Sequence, residues 1–242
     1  MEPIYRARVG FVSSSDHWGT HYDRLLALAP GDVSVEIRGL GMPSRSQYDL
    51  AGIRDEHVER ATKLASERGW QAMACTGAPT QVQNPGFLEN LRDSLNIPVT
   101  TALQASGTAL RAMGVRRPLL LTPFRRYMND MICAYLAGLG VEPILHGKDF
   151  QEVEVARDLS SEEVYRLAVG AFRSADGAEA IYFQGAVLDP VPIVDRLEAE
   201  LGVPVVASNP AMLWHTLSML GLRYSLPGAG RVLRDWPALV TT

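Results

Sequence analysis

The chain has 242 residues, 47% of them apolar, and a formal net charge of -4. This length suits one large domain or two lobes of about a hundred residues each, and the lack of a basic block argues against nucleic-acid binding. No apolar run approaches the roughly 20 residues of a membrane span, no signal-peptide segment is recognisable, and the two cysteines form no CxxC pair typical of a zinc site or disulfide framework. We expect a soluble, cytoplasmic protein.

The predicted elements alternate between strands and helices. Apolar or alternating runs predict strands at residues 9–12, 33–37, 70–74, 97–101, 118–121, 141–146, 180–183 and 203–208. Helical spacing with caps and glycine stops predicts helices at 22–29, 48–68, 85–95, 102–113, a segment ending near 137, 160–175, 192–201 and 210–220. This alternation implies an α/β fold whose mostly parallel strands are covered by helices on both faces.

A polar loop rich in hydroxyl groups follows the first predicted strand. It contains Ser14, Ser15, Asp16 and His17. Hydroxyls and free amides at the start of a helix suit a carboxylate ligand, but the same residues also suit a capped surface loop, and both interpretations stay open. His17 has the same two interpretations, as a group that orients a ligand or as an exposed loop residue.

A cysteine marks the carboxyl end of the third predicted strand, where the sequence reads Cys75-Thr76-Gly77. Ligands of open α/β sheets bind in the crevice at the carboxyl ends of strands. We interpret Cys75 as the exposed reactive group of a small enzyme; the alternative is a buried thiol that packs as a small apolar side chain. Cys133 lies within a helix among apolar neighbours and is interpreted as core.

The two halves of the chain resemble each other. The strand at 97–101 and the strand at 203–208 each lead into a helix that ends in a glycine, and each follows a glycine-containing turn, at 75–77 and 184–186. Two similar lobes facing each other would bring both turns to one cleft. We expect a first lobe of residues 1–100 plus 208–242 and a second lobe of residues 101–207.

Several short segments stand in a distinctive order and spacing along the chain. They are GLG at 39–41, ACTG at 74–77, PVTT at 98–101, ALRAMGVRR at 109–117, LTP at 121–123, GVPVV at 202–206 and PGAGR at 227–231. Together they resemble the aspartate/glutamate racemase superfamily, in particular its maleate isomerase and arylmalonate decarboxylase branch. The resemblance implies two pseudo-symmetric α/β lobes with the active site between them, and chemistry without cofactor or metal.

The resemblance also implies roles for single residues. Cys75 falls on the first-lobe thiol of racemases and maleate isomerases, whereas their second-lobe thiol falls on Gly185 and is absent here. Arylmalonate decarboxylase has the opposite arrangement, with its one thiol in the second lobe. Thr76 matches a hydroxyl that binds substrate carboxylate, Gly77 offers only its backbone N–H where the decarboxylase has serine, and Ala186 matches a donor of a backbone amide.

Further substrate contacts are expected around the cleft. Where the family has Thr-Pro-Tyr this chain has Thr122-Pro123-Phe124, so a phenol donor is missing and Tyr127, one turn onward, is its expected substitute. Maleate isomerases carry an asparagine where Ser14 and Ser15 stand. Asp16 would repel an anionic substrate if it faced it. The expected substrate-binding residues are Ser14, Ser15, Thr76, Gly77, Thr122, Tyr127, Gly185, Ala186 and Asn209.

The missing second thiol limits the reactions that the predicted site could catalyse. Racemisation by paired thiols needs a proton-transfer group on each face of the substrate, and Gly185 supplies none. Cys75 remains either a nucleophile for cis–trans isomerisation, activated by amides at the helix start after Gly77, or the proton donor to an enediolate after decarboxylation. We favour the isomerase because Gly77 and Phe124 remove two side-chain donors that an enediolate needs.

A third possibility is a non-catalytic binding protein on the same fold. The expected partners are a small carboxylate substrate and a second copy of the chain, with neither nucleic acid nor membrane. His57, beside acidic neighbours, is expected on a solvated helix face, and His215 in packing or at the surface.

Overall fold

The computed structural model describes residues 4–14, 16, 19–146 and 153–240. Within these residues, eight strands form two four-stranded parallel sheets. The first sheet has the order β2-β1-β3-β4, with β1 Ala7–Ser13, β2 Val33–Gly39, β3 Ala72–Cys75 and β4 Val99–Thr101. The second has the order β6-β5-β7-β8, with β5 Pro118–Leu121, β6 Ile144–Leu145, β7 Ala180–Phe183 and β8 Val205–Ala207. The two orders are the same, so the predicted internal repeat and fold class are confirmed.

The helices cover the sheets on both faces. They are α1 Thr20–Ala27, α2 Arg54–Arg68, α3 Ala78–Val82, α4 Phe87–Ser94, α5 Ala102–Ala112, α6 Arg126–Gly138, α7 Val153–Arg157, α8 Ser161–Ser174, α9 Val194–Leu201, α10 Ser208–Met219 and α11 Arg231–Arg234. Among the described residues, none of these helices has the length and hydropathy of a membrane span.

Two helices between the sheets build the main core. α5 begins at the residue after β4 and α10 at the residue after β8, and the two pack against each other. Their buried side chains, such as Leu103 and Trp214, join Phe11 of the first sheet and Tyr182 of the second in one apolar cluster. Thr101 caps α5 because its side chain accepts a hydrogen bond from the Gln104 N–H. The outer face of each sheet carries its own smaller cluster.

The predicted elements match the structure best where a strand is apolar and short. All eight predicted strands are present, although β6 retains only two residues of the predicted 141–146. The helix predicted at 48–68 begins only at Arg54, because Gly52 adopts a positive φ of 78° that a helix does not allow. The short helices α3, α7 and α11 were not predicted.

The C-terminal segment contacts residues next to the first sheet and a helix of the second half of the chain. The Tyr224 hydroxyl donates to Asp32, which precedes β2, while the Gly230 N–H donates to Asp195 of α9. The division into residues 1–100 plus 208–242 and residues 101–207 therefore stays a prediction.

One buried histidine links α10 to the first sheet and makes stability depend on pH. The His215 Nδ1 lies 2.7 Å from the Thr100 Oγ1, and burial lowers the pKa of His215 from 6.5 to about 4. As the pH falls below 6.5, His215 takes up a proton in the unfolded chain but stays neutral in the folded chain until about pH 4. The free energy of unfolding therefore decreases as the pH falls from 6.5 to 4.

We expect His215→Asn to flatten the fall of the unfolding free energy across this interval by up to about 1.4 kcal/mol per pH unit. Urea unfolding of both proteins between pH 4 and 8 measures this, with the values at pH 8 as the reference. Parallel pH curves for variant and wild type would contradict the assignment.

Candidate active site

The register of the sheets pairs the ends of equivalent strands. Cys75 ends β3 opposite Val12, and Phe183 ends β7 opposite Leu121. The next N–H in each copy donates to the preceding strand: Thr76 to the Val12 carbonyl at 2.8 Å, and Gln184 to the Leu121 carbonyl at 3.0 Å.

A glycine of similar backbone conformation follows in each copy, Gly77 with φ 89° and ψ 91° and Gly185 with φ 103° and ψ 106°. By this internal symmetry Cys75 corresponds to Phe183, and Gly185 corresponds to Gly77. The resemblance placed the second thiol of the family at Gly185. Since residues 183–186 contain no cysteine, the second thiol is absent under either correspondence.

Cys75 is buried, as the alternative interpretation of the sequence had it. Only 2% of the residue is exposed, and its side chain belongs to the apolar cluster between the first sheet and helices α2 and α4, with Val12 and Phe87. Burial raises the pKa of its thiol far above the usual range. The expectation of an exposed sulfur in an open cleft is therefore wrong for this structure, and the resting side chain is a neutral thiol.

The helix after Cys75 explains why burial dominates the thiol's pKa. Amides at the start of a helix stabilise a thiolate, and the turn after Gly77 was expected to provide them. However, α3 has only five residues, and its second residue, Pro79, has no N–H. A helix this short, with one amide donor missing, stabilises a thiolate too weakly to offset the loss of water around the sulfur.

Thr76 has a phenolic neighbour that the sequence did not reveal. The Thr76 side chain is hydrogen-bonded to Tyr22 of α1, and burial raises the pKa of Tyr22. Tyr22 therefore remains a neutral phenol beside the strand end. Its position in the first turn after the polar loop was the available signal, but its helical spacing was interpreted as core packing.

Ser14 follows β1 and contacts a buried histidine. The Ser14 Oγ lies 3.2 Å from the Nδ1 of His57, whose residue is fully buried. The prediction of a solvated face for His57 is therefore wrong. The signal that would have found it is its spacing of four from Ala61 and of eight from Ala65, both of which are buried on the same face of α2.

Asp16 faces away from β3. Its carboxylate lies against Gly39, where an added Cβ would come within 1.9 Å of the Asp16 Oδ1. Gly39 ends β2, which lies on the opposite side of β1 from β3. The repulsion of an anion near Cys75 that Asp16 threatened is thereby reduced. Ser15 and His17 lie outside the described residues.

The second sheet contributes Thr122, Gly185 and Ala186 at its carboxyl edge. The Thr122 hydroxyl donates to the Asn129 Oδ1 at 2.5 Å and accepts from the Phe124 N–H, so it is engaged within its own turn. Thr122 also lines a cavity of about 10 Å³, which has room for a single water molecule at most. Ala186 opens a short 3-10 turn after Gly185.

Tyr127 and Asn209 lie at contacts between the two halves. Tyr127 is 46% exposed, with its ring centroid 5.5 Å from that of Tyr48. Asn209 is buried near the start of α10, and its side-chain amide donates to the His21 carbonyl at 3.4 Å. The structure thus groups Ser14, Thr76 and Cys75 at one sheet edge, while Tyr127 lies half exposed against Tyr48.

The loops at the strand ends of the two sheets meet in two further places. Arg24 of α1 forms an ion pair of 2.6 Å with Asp189, which follows the turn after β7. The guanidinium of Arg125, after β5, lies 4.7 Å from the Tyr48 ring centroid. These contacts hold the strand ends of both sheets close to one another.

Cys75 lines neither of two cavities found among the described residues. A groove of about 550 Å³ lies on the outer surface between α2 and α4, and Cys75 does not line it. Within the described residues, no cluster of three or more His, Cys, Asp or Glu side chains has an arrangement suited to a metal ion. Access to the thiol therefore requires the residues around it to move.

Comparison with known proteins assigns the chain to a family. The sequence profile of arylmalonate decarboxylase matches residues 25–233. The chain belongs to the arylmalonate decarboxylase family. It is 32% identical to a maleate isomerase of Nocardia farcinica, over 97% of this chain and 98% of that protein. It is 27% identical to an arylmalonate decarboxylase of Bordetella bronchiseptica, over 84% of this chain and 88% of that protein.

A solved structure supports the same fold. The chain matches a cysteine-to-serine mutant of the Nocardia farcinica maleate cis-trans isomerase with a covalently bound succinylcysteine intermediate, at a TM-score of 0.76 and 23% identity, covering 95% of this chain and 98% of that one. The predicted superfamily branch and the two-sheet fold are confirmed.

The paired glycine turns provide a matched test of packing at the two strand ends. Both have positive φ, which costs a residue with a Cβ about 1–2 kcal/mol. At Gly185 the added Cβ would also lie 2.6 Å from the Cδ of Pro123, whereas at Gly77 its nearest neighbour is the Thr80 Oγ1 at 3.5 Å.

We expect Gly77→Ala to lower the unfolding free energy by about 1–2 kcal/mol and Gly185→Ala by about 1–3 kcal/mol more, because only the second substitution overpacks its site. Urea unfolding of the two variants measures the difference. Equal losses would show that the contact with Pro123 does not constrain the turn.

Proposed function

We propose that this protein is a cysteine-dependent enzyme that isomerises a small unsaturated carboxylate about its C=C bond, without cofactor or metal. Cys75 is the reactive group. The observation that carries this proposal is a single thiol at the carboxyl end of β3, in a chain similar along nearly its whole length to a maleate isomerase. The neighbouring donors favour an anionic substrate.

In this reaction the Cys75 thiolate adds to one alkene carbon. The π electron pair moves to the adjacent carbon, where the substrate carboxylate stabilises the charge, and the former double bond becomes a single bond that rotates. The electron pair then returns, the C–S bond breaks and the trans alkene forms. Because the resting thiol is neutral, its proton must first pass to water, and the thiolate released at the end of the reaction recovers a proton from water. Substrate binding is the event that has to favour the first transfer.

The substrate carboxylates need hydrogen-bond donors around the thiol. We assign this role to the side chains of Ser14, Thr76 and Asn209 and to the backbone amides of Gly77 and Ala186. Ser15, Thr122, Tyr127 and Gly185 stay predictions. The carboxylate of Asp16 lies against Gly39 of β2, on the opposite side of β1 from β3, which reduces its repulsion of an anion at Cys75.

A second candidate function is decarboxylation of a malonate-like substrate. The specific observation in its favour is the burial of Cys75, since a thiol that holds its proton is the form required of a proton donor. The bond to one carboxylate breaks, CO2 leaves, and its electron pair forms an enediolate held by the same donors. Cys75 then gives its proton to the α-carbon and recovers one from water. The family profile agrees with this alternative.

The location and assembly of the protein stay predictions. We expect a cytoplasmic enzyme that forms a homo-oligomer and binds neither nucleic acid nor membrane.

Cys75→Ser tests the role of the thiol. With maleate as substrate and fumarate followed by proton NMR, we expect turnover to fall on the order of a thousand-fold or more, because a hydroxyl is a far weaker nucleophile. Cys133→Ser, which alters the other free thiol on α6, is the matched control and should retain the wild-type rate. Near wild-type turnover by Cys75→Ser, with its fold intact, would overturn both mechanisms.

Reactions in D2O separate the two chemistries. Addition, rotation and elimination leave the carbon-bound hydrogens of maleate unexchanged, whereas decarboxylation of phenylmalonate or a related arylmalonate releases CO2 and places deuterium on the α-carbon. We expect fumarate without deuterium as the main product. CO2 release with deuterated product would favour the decarboxylase, and failure of every substrate in both series would favour a non-catalytic binding protein.

A further inference from the structure

His57 is a buried polar residue with one nitrogen unused. It lies in the apolar layer between the first sheet and helices α2 and α4, and its ring meets that of Phe87 edge-on at 4.9 Å between centroids. Its Nδ1 contacts the Ser14 Oγ at 3.2 Å. Its Nε2 is buried, and no described residue bonds it.

This arrangement is unfavourable for stability alone. A buried nitrogen without a hydrogen-bond partner loses its interactions with water and gains nothing in exchange. A phenylalanine would fill the same layer beside Phe87 without that cost. A local arrangement that opposes stability marks a position where function sets the residue.

Ser14, in contrast, is half-buried and firmly held at the sheet edge. Its carbonyl accepts from the Met42 N–H at 3.0 Å, and the preceding Ser13 carbonyl accepts from the Leu40 N–H at 2.9 Å. Ser14 follows Val12 by two residues, as Gly77 follows Cys75, and Val12 and Cys75 are register partners. Ser14 is thereby placed beside the turn that follows the thiol.

The hydrogen bond between Ser14 and His57 couples the orientation of their protons. A hydroxyl and a neutral imidazole share one hydrogen bond, so either oxygen or nitrogen supplies its proton. If Ser14 donated to His57, it would turn lone pairs toward the sheet edge and repel an anion. If the Nδ1–H of His57 donates, the Ser14 proton is available to a carboxylate.

We propose that His57 is a positioning residue that donates its Nδ1–H to Ser14 and so directs the Ser14 hydroxyl proton to a carboxylate of the bound substrate. The inference deepens the proposed function and rests on it for the class of ligand, a small carboxylate, for which the dicarboxylates malonate and maleate serve as probes. His57 itself does not touch the substrate.

The test measures binding without turnover. Malonate and maleate are titrated by calorimetry into Cys75→Ser protein that carries Ser14→Ala, His57→Phe, both, or His57→Asn. We expect Ser14→Ala and His57→Phe each to weaken binding roughly 10–100-fold, as for loss of one hydrogen bond to a charged group. The double variant should bind no more weakly than Ser14→Ala alone.

The His57 variants separate positioning from packing. His57→Asn can place its amide N–H near the Nδ1 position and should bind within about threefold of the parent. His57→Phe should unfold at the same or a higher urea concentration although it binds more weakly, because it removes the unpaired nitrogen. In 15N NMR of the malonate complex, His57 should carry its proton on Nδ1.

Several results would overturn the inference. They are unchanged binding by His57→Phe, losses that multiply in the double variant, His57→Asn binding as weakly as His57→Phe, a proton on Nε2 in the complex, or no dicarboxylate binding by the parent protein. Coupled losses of binding in an enzyme that turns over neither maleate nor arylmalonates would leave this inference standing and overturn only the proposed function.

Discussion

The packing of α5 against α10 is the constraint on which the candidate site depends. Each helix starts at the residue after a strand, so its direction is fixed by the sheet it leaves. Because the two helices share one apolar core with the inner faces of both sheets, they fix the sheets relative to each other. The loops at the strand ends then meet, as the Arg24–Asp189 pair shows, although that exposed pair adds little stability itself.

The protonation state of Cys75 depends on two opposing effects. Burial favours the neutral thiol, and amides at a helix start favour the thiolate. The sequence suggested a helix start that would stabilise a thiolate, but α3 is five residues long and Pro79 removes a donor. Desolvation therefore prevails, and the thiol holds its proton. A nucleophilic role consequently requires the substrate to alter the site, whereas a proton-donating role uses the resting form directly.

Much of the fold was accessible from the sequence because the strands are short apolar runs between breakers. The strand at Pro118–Leu121 was predicted with its observed bounds. The start of α2 was misplaced because an apolar period continues upstream of Gly52. α3 was missed because a five-residue helix containing Pro79 and Thr80 carries no periodic signal.

The site was less predictable than the fold. The strand-end position of Cys75 followed from the local pattern, but its burial depends on Val12 and Phe87, which come from distant parts of the chain. His57 was misjudged because acidic neighbours at 55, 56 and 59 obscured its spacing from Ala61. The Tyr22–Thr76 bond joins residues far apart in the chain, which no local pattern reveals.

The unequal ends of β3 and β7 have a stereochemical consequence. Cys75 stands on one side of the molecule's internal symmetry and Phe183 on the other. Each side chain packs in the outer apolar cluster of its own sheet, so the molecule carries a sulfur at only one of the two equivalent strand ends. A proton delivered by that sulfur to a prochiral carbon would arrive from a single direction, so the handedness of any chiral acid formed would be set by which β-strand carries the thiol.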